Sequence, residues 1–583
     1  MLYRQIVDTY VELEGTTKRL EMIALLADLL GATPAGEMTR VVYLTQGRVR
    51  PQFRGGELGL ADKLVVRAIA MATGLSEGDV REEFYGLGDL GLACERALER
   101  KVQTALFTED LTVERVHGNL ERIVSATGAN SQDLKMKLVA DLLHSAAPVE
   151  GRYLVRTILG RLRLGVGDMT IIDAIARAFD VEREPLERAY NIHPDLGEIA
   201  GSLATEGVAG LERFTIEAGI PVHCMLAERL PSVAEIIERM EGQVAFEYKY
   251  DGVRVQVHIL PDGEIELFSR QLERITDQYP DVVSHVADSG PETNSIIEGE
   301  CVPIHPETGE MLPFQVVSRR RRRKHDLDRA MEEVPVSLIL FDCLLAGGAD
   351  MMDRPYPERR EALQRVISFT ERVRLASSLV TSDPDEAARF FDEAIEHGCE
   401  GIVAKSTASD SIYRAGSRGF LWIKYKRDYR VELTDTLDLV PVGAYRGRGK
   451  RSGVFGALLM AAYDRDSDTF ETVCRLGTGF DDETLREMVR MMDAIRLERR
   501  HPRVRSRLDA DVWLEPRYVM EVSGAEITQS PVHTCALGRN REGIGLAVRF
   551  PRFTGRWRDD RAPEDATTTE EIVGMYERQV KTS

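Results

Sequence analysis

The chain is poor in cysteine and lacks long apolar runs. Its seven cysteines lie singly, with no C-x-x-C pair among the 583 residues. This excludes a four-cysteine zinc site and a disulfide-stapled secreted fold, and it favours a reducing compartment such as the cytoplasm. No apolar run approaches the ~18–20 residues of a membrane-spanning helix, and the first residues lack the apolar core of a signal peptide. We therefore expect a cytoplasmic protein with no membrane segment.

Lysine is also scarce, with 12 lysines against 64 arginines. A lysine retained against this background indicates a function that arginine cannot perform. Arginine stays protonated, whereas lysine can lose its proton and act as a nucleophile. Four lysines fall in short strand-like segments of the middle of the chain: Lys249, Lys405, Lys424 and Lys426.

Charge is distributed unevenly along the chain. The formal net charge is −20, with −23 in residues 1–400 and +3 in residues 401–583. Residues 411–430 are the most basic stretch, with six basic residues and one acidic residue. A local patch of this kind can bind phosphates while the whole chain stays acidic. A solvated charged face is the alternative interpretation.

Changes in periodicity predict three domains. Residues 1–214 show the spacing of amphipathic helices, including one from Thr17, a candidate N-cap, to Gly31. Residues 215–427 alternate short β-branched segments with helical stretches, which is typical of an α+β domain. Residues 428–583 carry alternating segments with glycine turns and one helix at Thr484–Arg496, which favours a small β-barrel.

The segment Glu247–Arg254, EYKYDGVR, brings several reactive groups together. If residues 244–249 form a strand, Glu247 and Lys249 point to the same face because side chains alternate. Asp251 and Gly252 predict a tight turn, after which Arg254 returns on the next strand. A nucleophilic amine and a guanidinium on one pocket suit attack on a phosphate. From spacing alone, an exposed hairpin with a solvated lysine remains the alternative.

Lys249-Tyr-Asp-Gly-Val-Arg254 resembles the K-x-D-G-x-R signature of covalent nucleotidyltransferases, which include ATP-dependent DNA ligases, RNA ligases and capping enzymes. The other motifs of that superfamily follow in order: Ser269-Arg270, Ile297–Glu300, Leu340–Asp342, Glu400–Lys405 and Trp422–Lys426. The tail RFPRFTGRWRDDR resembles the closing motif of replicative-type DNA ligases, and Arg161–Gly167 is similar to part of their DNA-binding domain. The resemblance covers essentially the whole chain and points to archaeal-type ATP-dependent DNA ligases.

This resemblance implies a helical DNA-binding domain, an α+β adenylation domain and a C-terminal OB-fold barrel. It also implies an enzyme of DNA replication, repair and recombination that seals nicks in duplex DNA. ATP would react first to give a lysyl–AMP, the AMP would pass to the 5′-phosphate, and the 3′-hydroxyl would then displace it. Magnesium would stabilise the charge that develops at each step.

The same resemblance implies roles for individual residues. Lys249 would attack the α-phosphate of ATP, Glu247 would accept a hydrogen bond from the adenine amino group, and Phe341 would stack on the base. Glu300 would bind the ribose or a magnesium water, and Glu400 would bind magnesium, because hard cations prefer carboxylate oxygen. The cations expected to hold the nucleotide are Arg254, Arg270, Arg418 and Lys424.

Two segments depart from the family pattern or need their own interpretation. The closing motif usually ends R-x-D-K, whereas here Arg558-Asp-Asp-Arg561 ends in arginine. Arg561 keeps the charge but changes its geometry. The basic run Arg319–Lys324 has a basic counterpart in the family, so we expect a solvated or DNA-facing loop.

A partner is implied by Gln103-Thr-Ala-Leu106-Phe107, which resembles the core of sliding-clamp docking peptides. A glutamine followed by two apolar side chains can fill a hydrophobic pocket if the segment is exposed. Burial of Leu106 and Phe107 in the helical core is the alternative. We expect a monomer that binds nicked duplex DNA and docks on a clamp.

Other classes of protein explain less of the sequence. An RNA ligase or capping enzyme, the nearest alternative, would by resemblance lack the large helical domain and the RFPRF segment. An NAD-dependent ligase would be expected to carry a cysteine zinc site. A P-loop is rejected because five residues separate Gly443 from Gly449 and Arg451 follows Lys450. A helical scaffold leaves the ordered motifs unexplained.

Overall fold

The computed structural model describes residues 1–56, 58–101, 109–128, 130–304, 311–312, 331, 334–426, 436–447, 454–524, 526–539, 542–549 and 551–581. The chain forms two compact units, Met1–Tyr425 and Lys426–Ser583. Within the described parts, no helix has the length and apolar character needed to cross a membrane. The predicted clamp segment Gln103–Phe107 and the basic run Arg319–Lys324 lie outside the described residues.

The first part of unit 1 is helical, as predicted. Its α-helices are α1 (Tyr3–Glu14), α2 (Arg19–Gly31), α3 (Met38–Thr45), α4 (Asp62–Thr73), α5 (Glu77–Leu87), α6 (Leu90–Glu99), α7 (Val113–Ser125), α8 (Ser131–Ser145), α9 (Pro148–Ile158), α10 (Asp168–Phe179), α11 (Arg183–Ile192) and α12 (Leu196–Glu206). Their apolar faces share one core that extends from Tyr3 to Phe214. Burial of these stripes, rather than helix propensity, stabilises the bundle.

The start of α2 differs from the sequence-based prediction. The helix begins at Arg19 with Lys18 at the N-cap, so the assignment of Thr17 as the cap is wrong. Thr16 binds the local backbone instead, because its hydroxyl accepts from the Lys18 N–H at 3.2 Å and donates to Glu21 at 2.6 Å. Capping by a hydroxyl depends on backbone geometry that residue type alone does not determine.

The second part of unit 1 contains two sheets with helices. Its elements are β1 (Leu226–Arg229), α13 (Val233–Met240), β2 (Val244–Lys249), β3 (Val253–Ile259), β4 (Ile265–Ser269), α14 (Pro280–Asp288), β5 (Ser295–Pro303), β6 (Val336–Ala346), β7 (Ala349–Asp350), α15 (Tyr356–Val366), β8 (Val373–Leu375), β9 (Ser378–Thr381), α16 (Pro384–Glu396), β10 (Gly401–Ser406) and β11 (Arg418–Lys426). One sheet has the order β1-β11-β10-β2-β9. The other has the order β4-β3-β5-β6-β7, with β8 beside β6.

Strand pairing sets which motif residues are neighbours. In the first sheet, β10 runs antiparallel to β2, so Gly401 lies opposite Lys249 and Val403 opposite Glu247. In the second sheet, β5 runs antiparallel to β3, so Glu300 lies opposite Arg254. Motifs that are up to 156 residues apart in sequence, as Glu247 and Val403 are, therefore become adjacent.

The glycine of the Lys249 motif is required by close packing. A Cβ atom on Gly252 would lie 2.4 Å from the backbone oxygen of Cys301 and 2.9 Å from Cγ of Glu300. The turn between β2 and β3 therefore approaches β5 more closely than a side chain would allow. This contact holds the end of β2, which carries Lys249, against the strand that carries Glu300.

Unit 2 is rich in strands. Its elements are β12 (Leu437–Arg446), β13 (Phe455–Asp464), β14 (Thr469–Leu476), α17 (Asp482–Asp493), β15 (Arg496–Leu497), β16 (Val504–Arg505), β17 (Val512–Leu514), β18 (Met520–Ser523), β19 (Glu526–Ser530), β20 (Gly545–Arg549), β21 (Arg552–Trp557) and α18 (Thr569–Lys581). The main sheet has the order β15-β17-β12-β13-β14-β16, and β18 joins β12 to β21. Curled sheets with one inserted helix confirm the predicted fold class, while the exact domain boundaries stay a prediction.

Candidate active site

Lys249 and Glu400 form an ion pair at the end of β2. Lys249 Nζ lies 2.6 Å from Glu400 Oε2, and the two side chains retain 26% and 30% of their exposure. The Glu400 N–H also donates to the Lys249 carbonyl at 2.8 Å. The amine is thus held by backbone pairing and by charge, and it stays accessible to a ligand.

A second carboxylate, that of Glu300, lies close to this pair. Burial raises the pKa of Glu300 to about 7, the charge of Lys249 opposes this rise, and the charge of Glu400 adds to it. Two carboxylates near one amine form a donor set suited to a hard cation such as Mg²⁺, which commonly uses one or two carboxylates together with phosphate oxygens.

Glu247, two residues before Lys249 on the same face of β2, is almost fully buried, at 2% exposure. Tyr356 donates its hydroxyl to Glu247 Oε1 at 2.5 Å, and Arg360 donates to the same oxygen. Lys405 Nζ lies 2.7 Å from the other oxygen, Oε2. Both cations reach Glu247 from elements distant in sequence, α15 and β10.

Phe341, in the second sheet, packs edge-to-face against Trp422 of the first sheet, with ring centroids 6.3 Å apart and an interplanar angle of 78°. The Arg254 guanidinium lies 5.3 Å from the Phe341 ring centroid. Phe341 is half-buried, so its packing fixes the ring while part of it stays accessible. A fixed aromatic face of this kind suits stacking on a base.

Arg254 is held in a buried network. Its Nη2 donates to Glu298 at 2.8 Å, and its Nη1 donates to the Met225 carbonyl at 3.2 Å. Tyr413 also donates to Glu298, at 2.8 Å. Arg254 Nε is buried and has no hydrogen-bond partner among the described residues. These contacts fix Arg254 beside Phe341, and its role in nucleotide binding stays a prediction.

The other predicted cations lie on a strand or directly after one. Arg270 is exposed directly after β4, and Arg418 is exposed at the first residue of β11. Lys424 is half-buried and two residues from Trp422, so both point to the same face of β11. Trp422 contacts Lys405, with Nζ 4.4 Å from the ring centroid. Lys424 therefore lies on the face of the sheet that carries the buried carboxylate of Glu247.

Sequence reasoning missed several residues of this site. Tyr356 and Arg360 lie in a helix whose sequence, YPERREALQRV, carries no recognisable motif. Arg359, their neighbour, forms a fully buried ion pair with Asp342 at 2.7 Å. Lys405 carried a signal, since it is one of few lysines and ends the Glu400 motif.

The closing motif lies in unit 2, where its two arginines share one carboxylate. Arg558 Nη1 and Arg561 Nη1 each lie 2.8 Å from Asp438 Oδ2 on β12. Arg558 also binds Asp560 at 2.9 Å. The arginine that replaces the usual lysine is therefore part of an ordered cluster.

A different cluster has the atom spacing of a metal site among the described residues: His193, Asp195 and Glu198. Its groups already have protein partners. Asp195 accepts from Tyr43 at 2.9 Å and caps α12, and Arg213 lies 2.6 Å from Glu198. The cluster is accounted for as the capped start of a helix.

Comparisons with known proteins agree with this architecture. Family models match successive parts of the chain: DNA ligase N terminus over residues 2–176, ATP dependent DNA ligase domain over 224–426, and ATP dependent DNA ligase C terminal region over 451–561. The chain is 48% identical to DNA ligase 2 of Thermofilum pendens, covering 100% of this chain and 98% of the relative. It is 46% identical to the DNA ligase of Caldivirga maquilingensis, covering 99% and 98%.

A solved structure named Pmar-Lig_PreS3 shares the fold, with a TM-score of 0.54 at 16% identity, over 95% of this chain and 99% of that one. Matches to all three parts in order define a covalent nucleotidyltransferase. The chain belongs to the ATP-dependent DNA ligase family, which uses ATP and a divalent metal such as Mg²⁺ to seal nicked DNA.

Proposed function

We propose that Lys249 is the nucleophile of this ligase and that the two sheets of unit 1 form its nucleotide site. The observation that carries this proposal is the cluster at the end of β2, where Lys249 Nζ lies 2.6 Å from Glu400 and close to Glu300. Glu247 and Phe341 supply an acceptor edge and an aromatic face beside it. Together these groups match the base and the phosphates of an adenine nucleotide.

The first step joins Lys249 to AMP. The neutral amine attacks the α-phosphorus of ATP, so a P–N bond forms and the P–O bond to pyrophosphate breaks. The amine must lose protons for this, and Glu400 Oε2, which lies 2.6 Å from Nζ, can accept one of them. Arg254, held in place by Glu298 and the Met225 carbonyl, and Lys424 supply positive charge against the phosphate.

The later steps return Lys249 to its free state. A 5′-phosphate oxygen at the nick attacks the adenylate phosphorus and the P–N bond breaks. The 3′-hydroxyl then attacks the 5′-phosphorus, the new phosphodiester forms, and AMP leaves. Glu300 and Glu400 fit a magnesium ion, which supplies positive charge against the reacting phosphates when bound.

The test is covalent labelling with α-labelled ATP, followed by sealing of a nicked duplex. Wild-type protein should take up label, whereas Lys249→Ala and Lys249→Arg should take up none, because neither side chain offers a deprotonatable amine. Both variants should still seal a pre-adenylated nick. Covalent label on Lys249→Ala would refute the assignment of the nucleophile.

Three finer properties belong to this proposal: the protein acts in the cytoplasm as a monomer, and it docks on a sliding clamp through Gln103–Phe107. The docking idea rests on the sequence pattern of a glutamine followed by two apolar residues. Gln103→Ala with Phe107→Ala should lower clamp-stimulated ligation and leave basal sealing intact. An equal fall in basal sealing would make the segment structural instead.

A further inference from the structure

The contacts of Glu247 leave little of its carboxylate unused. An ionised carboxylate offers about four acceptor positions, two on each oxygen. Oε1 accepts from the Tyr356 hydroxyl and from Arg360, which fills both of its positions. Oε2 accepts from Lys405 at 2.7 Å, which fills one more. Counting the contacts of the described residues, a single acceptor position on Oε2 remains for a ligand.

Lys405 fixes more than this one oxygen. Its Nζ donates to the backbone carbonyl of Phe341 at 2.9 Å and lies 4.9 Å from the centroid of the Phe341 ring. It also lies 4.4 Å from the centroid of Trp422, which packs edge-to-face on Phe341. Lys405 itself is 1% exposed, so its ammonium is held rigidly between the two sheets.

One buried cation therefore links the two groups that contact a nucleobase in the proposed site. Glu247, from the first sheet, faces the edge of the base, and Phe341, from the second, faces its plane. Displacement of either group would change the angle between the acceptor oxygen and the stacking ring. Selection by a hydrogen bond needs that angle to be fixed.

We infer that Lys405, with Arg360 and Tyr356, is a positioning residue that sets the base selectivity of the ligase. The inference rests on the proposed function, since it assigns Glu247 and Phe341 to the base. The single open position on Oε2 takes one N–H from an exocyclic amino group, as adenine offers. A base with a carbonyl oxygen there, as in guanine, brings an acceptor against an acceptor and is rejected.

The probe is self-adenylation with ATP and with purine riboside triphosphate, which has hydrogen in place of the 6-amino group. In wild-type protein, loss of the amino group should raise KM about tenfold, as expected for a hydrogen bond to a charged acceptor. In Lys405→Met, which keeps apolar contact with Trp422, KM for ATP should rise about tenfold, while KM for the analogue should change less than about twofold. Discrimination between the two nucleotides should therefore disappear.

Matched variants separate positioning from a general loss of structure. Lys135 is a buried lysine, 8% exposed, whose Nζ donates to the Leu58 carbonyl at 3.0 Å. It lies on helix α8, far in sequence from the strand that carries Lys405. Lys135→Met should keep tenfold discrimination. Tyr356→Phe removes one hydroxyl without removing a ring, and it should lower discrimination about threefold. Lys405→Arg should retain part of the discrimination that Lys405→Met loses.

Two outcomes would overturn the inference. The first is undiminished discrimination in both Lys405→Met and Tyr356→Phe. The second is an equal rise in KM for both nucleotides in these variants. Lys249→Ala, run in parallel, keeps this result distinct from the proposed function. If Lys249→Ala still takes up label, the proposed nucleophile is wrong. If it takes up none while discrimination survives in the Lys405 variant, only the positioning role is wrong.

Discussion

Lys249 and Glu400 are joined twice, by an ion pair of 2.6 Å between their side chains and by a 2.8 Å hydrogen bond between their backbones. The second contact comes from antiparallel pairing of β2 with β10, and it fixes the register that allows the first. The proposed nucleophile ends β2 and the carboxylate proposed to take its proton directly precedes β10, so the proposed chemistry depends on sheet register.

Replacing Glu400 should slow the first step strongly. In Glu400→Gln the side chain keeps its size but loses the acceptor for the Lys249 proton, so self-adenylation should fall about 100-fold or more. Single-turnover labelling with α-labelled ATP measures this rate. Glu396→Gln, an exposed change on α16, is the control and should label normally. Equal rates in the two variants would contradict the role of Glu400.

Much of this site could be predicted because its motifs are local. The alternation of Glu247 with Lys249 follows from adjacent residues, and strand β2 has it. The chain bends at Asp251-Gly252 as expected, but Arg254 continues on a strand of the other sheet and does not pair back on β2. The partners of Glu247 could not be predicted in the same way. Arg360 lies 113 residues away, and which helix packs over which strand is set by tertiary contacts. The misplaced cap of α2 has a local cause instead, because Thr16 rather than Thr17 accepts from the backbone there.

Truncating Phe341 should weaken ATP binding more than it weakens the fold. Aromatic stacking contributes ~0.5–1.5 kcal/mol beyond area burial, so Phe341→Ala should raise KM for ATP by about 2- to 12-fold. Labelling kinetics and thermal unfolding should be measured together. Phe369→Ala, at an exposed phenylalanine, is the matched control. An unfolded Phe341→Ala protein with unchanged ATP affinity would make Phe341 a core residue.

Adding one methyl group at Gly252 should disturb the site. The Cβ of Gly252→Ala would lie 2.4 Å from the Cys301 oxygen and 2.9 Å from Glu300 Cγ, so β5 must shift. Overpacking of this kind costs about 1–3 kcal/mol of unfolding free energy, and self-adenylation should fall with it. Gly36→Ala adds the same methyl group where no atom lies within 4 Å. A similar loss in Gly36→Ala would show that the close contact is not the cause.

Acid should weaken the start of α12. The hydrogen bond with His193, assisted by Arg213, lowers the pKa of Glu198 to about 2. Because this pKa is depressed in the folded protein, its stabilisation is present above about pH 4.5 and is lost as pH falls toward 2. Glu198→Gln should therefore cost up to about 3 kcal/mol at pH 7 and progressively less below pH 4.5. Thermal unfolding of the wild type and Glu198→Gln from pH 7 to pH 3.5 measures their difference in stability. A difference that does not change with pH would rule out this role of the Glu198 carboxylate.

The two arginines of the closing motif should couple unequally to Asp438. Both have Nη1 2.8 Å from the same oxygen, but the Arg558 side chain is 13% exposed and that of Arg561 is 40% exposed. Water screens the more exposed pair, so its coupling should be smaller. Double-mutant cycles with Asp438→Asn, Arg558→Gln and Arg561→Gln, read as shifts in the thermal unfolding of the full-length protein, measure each coupling. A larger coupling for Arg561 would mean that the substituted arginine, rather than Arg558, holds the closing motif to β12.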